Sequence, residues 1–187
     1  MFDVVLPPPP RDSGWESDDL DMYDLPDHVE LIYGALELMM SPQRSWHHQI
    51  IRRLANMLED AAYPDWRVEQ EMTIRIDRKS RPEPDLLMVA PEPDYNSATK
   101  WFRPEDVVLV MEVESPESEA RDRELKPMMY ARAGIGVYVR VSEGPDAVPV
   151  IHRYHLENGK YRLIDEYQGR LVLDKPIQID SKIRPTW

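Results

Sequence analysis

Cysteine is absent from the 187 residues, and this absence excludes disulfide bonds and thiolate metal sites. Long apolar runs are also missing, since no stretch approaches the roughly 20 apolar residues that a membrane span needs. The first residues show no basic segment followed by a long apolar one, so we expect no signal peptide. Together these absences predict a cytoplasmic protein without a membrane partner.

Basic residues are scarce. Lysine and arginine number 23 against 35 aspartates and glutamates, which gives a net charge of −12. Such a charge argues against an open, nonspecific nucleic-acid-binding surface. Residues 1–30 hold nine of the acids and one base, Arg11, and so carry −8, which leaves −4 for residues 31–187. The body of the chain is only mildly acidic, and a local basic groove remains compatible with it.

The chain divides by composition into an arm and one domain. Residues 1–19 combine four consecutive prolines, Pro7 to Pro10, with a run of acids. This composition predicts a flexible N-terminal arm with polyproline character. Residues 20–187 are enough for one domain with its own apolar core.

Apolar periodicity predicts a mixed set of strands and helices. A hairpin is expected over residues 29–40 with Gly34 at its turn, followed by a helix from Ser45, its predicted N-cap, to Ala62. Continuous apolar residues over 107–113 predict a central strand buried on both faces. Further strands are predicted at 66–77, 86–90, 137–141, 148–155, 161–167, 171–173 and 177–179, and a second helix from Asp122 to Ala133. This order predicts a mixed α/β (α+β) sheet with flanking helices and additional β-hairpins.

Two of the predicted strands carry an acid where an apolar residue is expected. Asp85 leads one strand and Glu112 lies inside the central one, and a buried carboxylate is costly unless it is paired or binds a metal. On adjacent strands, two carboxylates would supply hard oxygen ligands for Mg²⁺, and Lys126 could stabilise charge on a phosphate. Structural ion pairs, with Arg75 or Arg140 as the partner of Glu112, fit the same spacing. Spacing alone leaves both interpretations open.

Several stretches, in order, resemble the Uma-type family of restriction endonucleases, within the PD-(D/E)xK nuclease superfamily. They are Tyr33 to Pro42, with the embedded Glu37; His48 at the head of the first helix; Pro84-Asp85-Leu86; Glu112 to Ser118; and then Asp122, Lys126, Tyr130, Gly134 and Tyr138. The similarity covers roughly residues 20–180. The ordered set carries the resemblance, and no single motif does.

The resemblance implies a restriction-endonuclease-like core and Mg²⁺-dependent hydrolysis of DNA phosphodiester bonds, with Mn²⁺ able to substitute. By it, Asp85 and Glu112 bind the metal together with the backbone carbonyl of Val113. Lys126 is then the catalytic lysine, moved from the strand to the following helix. Glu114 fills the superfamily's usual lysine position. Pro127 directly follows Lys126 and limits where that helix can begin, because proline destabilises a helix unless it lies in the first turn.

Three further residues are expected to support the site. Glu37 would approach it from the hairpin, and Tyr130 lies one helical turn beyond Lys126 on the same face. His48 either contacts the site or a phosphate, or has a helix-cap or surface role. Cutting both strands of a duplex needs two active sites, so a homodimer is expected.

Two other functions remain open. The first is a nuclease-fold module that binds nucleic acid or protein without cleaving it. The second is a hydrolase acting on a small phosphate ester. In the loop over residues 91–105, Trp101 and Phe102 either stack a base or anchor the loop.

Overall fold

The computed structural model describes residues 6–38, 44–91, 95–116 and 119–184. Its helices are α1 (Asp19–Met22), α2 (Ser45–Ala62) and α3 (Lys126–Arg132), with a π-helical turn over Arg121–Leu125 and short 3-10 turns over Pro104–Asp106 and Pro145–Ala147. Its strands are β1 (Val29–Ile32), β2 (Ala35–Leu38), β3 (Arg67–Gln70), β4 (Thr73–Ile74), β5 (Leu86–Val89), β6 (Trp101–Phe102), β7 (Val107–Val113), β8 (Val137–Glu143), β9 (Pro149–Glu157), β10 (Lys160–Gln168), β11 (Arg170–Leu173) and β12 (Ile179–Lys182). The predicted mixed α+β class is confirmed.

A six-stranded mixed sheet of order β10-β9-β8-β7-β5-β3 forms the centre of the fold. β7 and β8 run parallel, and the π-turn and α3 connect them, while the other neighbouring pairs are antiparallel. β7 is buried along almost its whole length, as its continuous apolar sequence predicts. β11 and β12, which lie at or next to two of the predicted strands, pair with each other in a small separate sheet.

Each face of the central sheet is covered by a helix. On one face, α2 packs a stripe that includes Leu54 against alternate strand residues such as Leu109. On the other face, Tyr130 of α3 packs in a cluster with Val110. Because side chains alternate along a strand, Glu112 shares the face of Val110. The pleat of β7 therefore directs this carboxylate towards α3.

The hairpin β1–β2 docks beside this sheet. Tyr33 and Gly34 both have positive φ angles, 49° and 87°, which are the backbone angles of a tight two-residue hairpin turn. Leu31 exchanges two backbone hydrogen bonds with Arg81, at 3.1 and 2.8 Å. The predicted turn at Gly34 is confirmed, and the hairpin is held against the segment that leads into β5.

Residues 14–19, at the end of the stretch for which the composition predicts a flexible arm, pack against this hairpin. Trp15 is only 3% exposed, and its backbone N–H donates to the carbonyl of Gly34 at 2.8 Å. Asp18 pairs with Arg75. Several acids of the N-terminal region thus form ion pairs with arginines of the folded domain.

Two local features of the strands differ from the sequence pattern. The predicted strand over residues 66–77 is split into β3 and β4, because Glu71 adopts a φ of 51° between them. The predicted loop over residues 91–105 contains β6, which pairs with β4. Phe102 is buried, and the guanidinium of Arg75 lies 5.1 Å from the ring centroid of Trp101. These contacts fit aromatic side chains that anchor the loop.

α2 spans the predicted residues, but its start differs in detail. Arg44 is the N-cap residue and makes no side-chain capping bond, while Ser45 is the first residue of the helix. The hydroxyl of Ser45 accepts a hydrogen bond from the Gln49 amide at 3.1 Å. The predicted cap role of Ser45 is therefore wrong. In the described part of the chain, no helix has the length and apolar character that crossing a membrane requires.

Pro127 accounts for the wide turn that precedes α3. The backbone N–H of Lys126 donates to the carbonyl of Arg121, five residues earlier, in the π-helical pattern. The next N–H in that pattern would belong to Pro127, which has none. The carbonyl of Asp122 instead accepts a hydrogen bond from the Tyr138 hydroxyl at 2.5 Å. Thus α3 begins at Lys126, and Asp122 lies inside the π-turn.

Candidate active site

Asp85 and Glu112, the two predicted strand carboxylates, lie side by side at one end of the central sheet. Leu86 of β5 lies opposite Met111 of β7, so one step further along the register Asp85 is opposite Glu112. A carboxylate oxygen of Asp85 accepts a hydrogen bond from the backbone N–H of Val113 at 2.6 Å. Asp85 is 9% exposed and Glu112 is 2% exposed. The fold therefore buries both acids at the same place.

Lys126 reaches Glu112 from the head of α3. Its Nζ lies 3.1 Å from Oε1 of Glu112. The hydroxyl of Tyr130, one turn further along the helix, donates to the same oxygen at 2.6 Å. The structure thus brings Lys126 and Tyr130 to Glu112.

The alternative partners of Glu112 form ion pairs elsewhere. Arg75 pairs with Asp18. Arg140 lies opposite Glu112 in the register between β7 and β8, but its Nη1 contacts Oε1 of Glu114 at 2.5 Å. Glu112 therefore takes its cation from α3.

Glu30 completes the site and was not predicted from the sequence. It is fully buried, and its Oε1 lies 2.9 Å from Nζ of Lys126 and accepts a hydrogen bond from the Glu83 N–H at 2.7 Å. Its other oxygen, Oε2, is buried without a hydrogen-bond partner among the described residues. The available signal was the one that marked Glu112: Glu30 stands between the apolar Val29 and Leu31 in a strand.

Four acids surround one base here, and we call this group the lysine cluster: Glu30, Asp85, Glu112, Asp122 and Lys126. Asp122 is buried, and its Oδ1 lies 3.9 Å from the lysine Nζ. With every member ionised, the lysine cluster would carry a charge of −3. Burying such an excess is unfavourable unless protons or a cation offset it.

Burial shifts the protonation of these groups. It raises the pKa of Asp85 to about 7, although the Val113 N–H and the charge of Lys126 act in the opposite direction. Burial also raises the pKa of Glu112 well above its ordinary value, against the charge of Lys126. Burial lowers the pKa of Lys126, but Glu112, Glu30 and the other acids raise it more, so its pKa lies well above the ordinary value. Lys126 is therefore a permanent cation in an environment that favours added positive charge.

The histidine at this site is His47, and the predicted His48 is exposed to solvent. Nε2 of His47 lies 2.7 Å from the carbonyl oxygen of Val113 and 3.7 Å from a carboxylate oxygen of Asp85. Burial lowers the pKa of His47 to about 4, so the ring is neutral at pH 7. A carbonyl can only accept, so Nε2 carries the proton. His47 precedes the buried Ile50 by three residues, and this spacing was the available signal.

Glu37 lies at the rim of the lysine cluster. It is opposite Glu30 in the hairpin register, and directly opposite residues of an antiparallel pair share a face. Its carboxylate contacts the guanidinium of Arg121, in the π-turn, at 2.6 Å. The hairpin therefore places Glu37 beside Glu30, where it pairs with an arginine.

The donor set can be tested against a metal. Within residues 6–38, 44–91, 95–116 and 119–184, no group of three or more histidine, aspartate or glutamate side chains is arranged to hold an ion. Mg²⁺ commonly needs only one or two carboxylates, because it keeps several waters. Asp85, Glu112 and the Val113 carbonyl form such a set. The unpartnered Oε2 of Glu30 and the negative excess also fit a cation. The residues present therefore suit Mg²⁺.

Comparison with known proteins gives the family and the fold of the chain. Residues 18–179 match the Uma2 family, described as "putative restriction endonuclease". A solved structure, that of "a putative nuclease belonging to DUF820" from Anabaena variabilis ATCC 29413, has a TM-score of 0.67 and 14% identity, covering 85% of this chain and 88% of that one. At this identity the likeness concerns the fold. No curated protein shows significant similarity to the chain. Because the match spans most of its length, the chain belongs to the Uma2 family of restriction-endonuclease-type proteins.

Proposed function

We propose that this protein is a Mg²⁺-dependent endonuclease that hydrolyses phosphodiester bonds in DNA. One observation carries the proposal: Asp85, Glu112 and Lys126 meet in a single buried cluster that holds four acids and one base. The family supports a nuclease, and the oxygen-rich donor set favours a hard cation such as Mg²⁺, with Mn²⁺ as a substitute.

Asp85, Glu112 and the Val113 carbonyl would hold the ion. A bound Mg²⁺ supplies a Lewis acid that polarises a phosphoryl oxygen and lowers the pKa of a coordinated water. Lys126 keeps its proton because of the surrounding carboxylates. It can therefore stabilise negative charge that develops on the phosphate, or orient the attacking water.

Three neighbours hold these groups in place. The Tyr130 hydroxyl fixes one oxygen of Glu112, and the neutral His47 ring donates to the Val113 carbonyl. Glu30 binds the lysine from the hairpin side. Contacts of this kind orient metal ligands and catalytic groups, and their loss commonly costs about 10- to 100-fold in affinity or activity. Cleavage of both strands of a duplex would require two copies of the site, which a homodimer would supply.

A nuclease-fold binding module without cleavage is the second candidate. The observation that favours it is the position of Lys126, which is 1% exposed and bound by both Glu30 and Glu112. Glu114, in place of the usual strand lysine, also favours it. A hydrolase of small phosphate esters would be recognised by faster turnover of a mononucleotide diester than of DNA.

Calorimetric titration with Mg²⁺, combined with a plasmid cleavage assay, distinguishes the two main candidates. We expect the wild-type protein to bind Mg²⁺ and cut DNA, and Asp85→Asn to lose both properties because a ligand carboxylate is removed. Asp106→Asn is a matched control, since Asp106 pairs with Arg103 in a loop. Mg²⁺ binding that is unchanged in Asp85→Asn would contradict the assigned metal ligands, and a wild-type protein that binds Mg²⁺ without cutting would favour the module.

A further inference from the structure

A groove of about 420 Å³ lies between the solvent side of α2 and the end of β12. Four cations line it: Arg52 and Arg53 from α2, and Lys182 and Arg184 from the C-terminal segment. One acid, Asp60, also lines the groove. Such a concentration of positive charge is unusual in a chain whose net charge is −12.

The cations of this groove differ from most other arginines of the molecule in having no acidic partner. Among the described residues, no carboxylate lies within 4.0 Å of any of the four. Arg53 instead donates to the backbone carbonyl of Arg184 at 2.7 Å and to the amide oxygen of Gln49 at 3.3 Å. Elsewhere, arginines such as Arg75 and Arg81 are paired with aspartates. Within the described part of the chain, the groove therefore holds four cations that have no carboxylate partner, although the chain as a whole is rich in acids.

We infer that this groove binds backbone phosphates of the nucleic acid that the active site acts on. This role rests on the proposed function, and it makes the groove a substrate-binding surface outside the active site. Guanidinium groups match phosphate oxygens with paired hydrogen bonds. A mildly acidic body would repel a polyanion unless such a patch attracts it locally.

The helix α2 connects the groove with the active site. His47 near its start contacts Val113 at the site, and Arg53 follows six residues later. At about 1.5 Å per residue, this is roughly 9 Å along the helix axis. A duplex carries one charge about every 1.7 Å of its axis, so phosphates flanking the cut bond are available at that distance.

An acidic peptide segment would be the competing occupant of the groove. One example is the N-terminal head of a second copy, that is, residues 1–30, which hold nine acids. Several acids of that head are already engaged inside their own chain. Asp18 pairs with Arg75 and Asp21 with Arg81, the latter at 2.9 Å. Part of the charge of this segment is therefore already compensated, and a nucleic-acid backbone, which carries one charge on every phosphate, is the better match.

The test measures the affinity of a labelled DNA duplex in EDTA, which prevents cleavage, over a series of salt concentrations. We expect the double variant Arg52→Ala/Arg184→Ala to bind about tenfold more weakly. The slope of log affinity against log salt should fall by about 1.8, since each lost phosphate contact removes about 0.9. Arg132→Ala is the control, because Arg132 is exposed at the end of α3, away from the groove.

The outcomes are distinct. An unchanged affinity and salt slope in the double variant would overturn the inference, and so would a wild-type protein that binds no duplex at low salt. A loss of sedimentation mass with unchanged DNA affinity would identify a protein interface instead. A protein that binds DNA through the groove but never cuts it would support the inference while the proposed nuclease activity fails. Lys182→Glu provides a second variant if the first is poorly folded.

Discussion

Glu112 and Glu114 stand two residues apart at the end of β7, yet their surroundings are opposite. Glu112 shares one cation, Lys126, with Glu30 and Asp122. Glu114 contacts two guanidinium groups, those of Arg123 at 2.6 Å and Arg140 at 2.5 Å. Glu112 therefore belongs to a cluster with more acids than bases. Glu114, two residues further along the chain, belongs to a cluster in which two arginines compensate its charge.

The pKa values follow this difference. Burial raises the pKa of Glu112, and the single lysine does not offset the effect. Burial also acts to raise the pKa of Glu114, but hydrogen bonds from Arg123 and Arg140 bring it below the ordinary value. A carboxylate with enough partners is structural, whereas a buried group with shifted protonation and too few partners is a candidate for function. Glu114, although it occupies the usual lysine position, belongs to the first kind.

The largest expected effect comes from Lys126→Ala. The variant removes the only cation of the lysine cluster, and we expect DNA cleavage to fall by about 10²- to 10³-fold, the usual loss of one charge-stabilising group. Mg²⁺ binding should persist, because the lysine is not a ligand. The measurement pairs a plasmid cleavage assay with calorimetric Mg²⁺ titration. A variant that folds, binds Mg²⁺ and cuts DNA at the wild-type rate would remove Lys126 from the mechanism.

A smaller effect is expected from Glu30→Gln, which keeps an oxygen for the Glu83 N–H but removes the charge beside Lys126. Glu30 acts through the lysine, so the pKa of Lys126 should fall and cleavage should decrease about tenfold. The pH profile of cleavage should then decline at a lower alkaline pH than in the wild type. Glu16→Gln, at the N-terminal head, is the control. An unchanged rate and profile would show that Glu30 only fills space.

Local patterns explain how much could be predicted. The turn at Gly34 and the span of α2 follow from residues close in sequence, and the structure has them. Asp85 and Glu112 also stood out locally, as acids in apolar strands. Glu30 carried the same signal, an acid between Val29 and Leu31 in a predicted hairpin strand, but its contact with Lys126 joins residues far apart in sequence and could not be inferred from either segment alone.

Other details of the fold have the same physical origin. The ion pair between Asp18 and Arg75 joins residues far apart in sequence, and composition could not reveal that it holds the N-terminal segment in place. The choice between His47 and His48 depended on which residue continues the buried stripe of α2. Contacts between residues far apart in sequence decide such details. A single sequence indicates directly only the contacts between residues that are close in sequence.

The smallest effect on activity is expected from Glu114→Gln, the balanced counterpart of Glu112. Cleavage should change less than about twofold, since Glu114 belongs to neither the ligand set nor the lysine cluster, although stability should fall by about 1 kcal/mol as Arg123 and Arg140 lose a charged partner. The folded pKa of Glu114 is lowered, so its stabilising contribution is present above the unfolded pKa of about 4.3 and is lost as pH falls through the folded value. The difference in melting temperature between wild type and variant should therefore be largest at pH 7 and decrease as the pH falls below about 4.3. If Glu114→Gln instead abolished cleavage while keeping its stability, Glu112 and Glu114 would have to exchange roles.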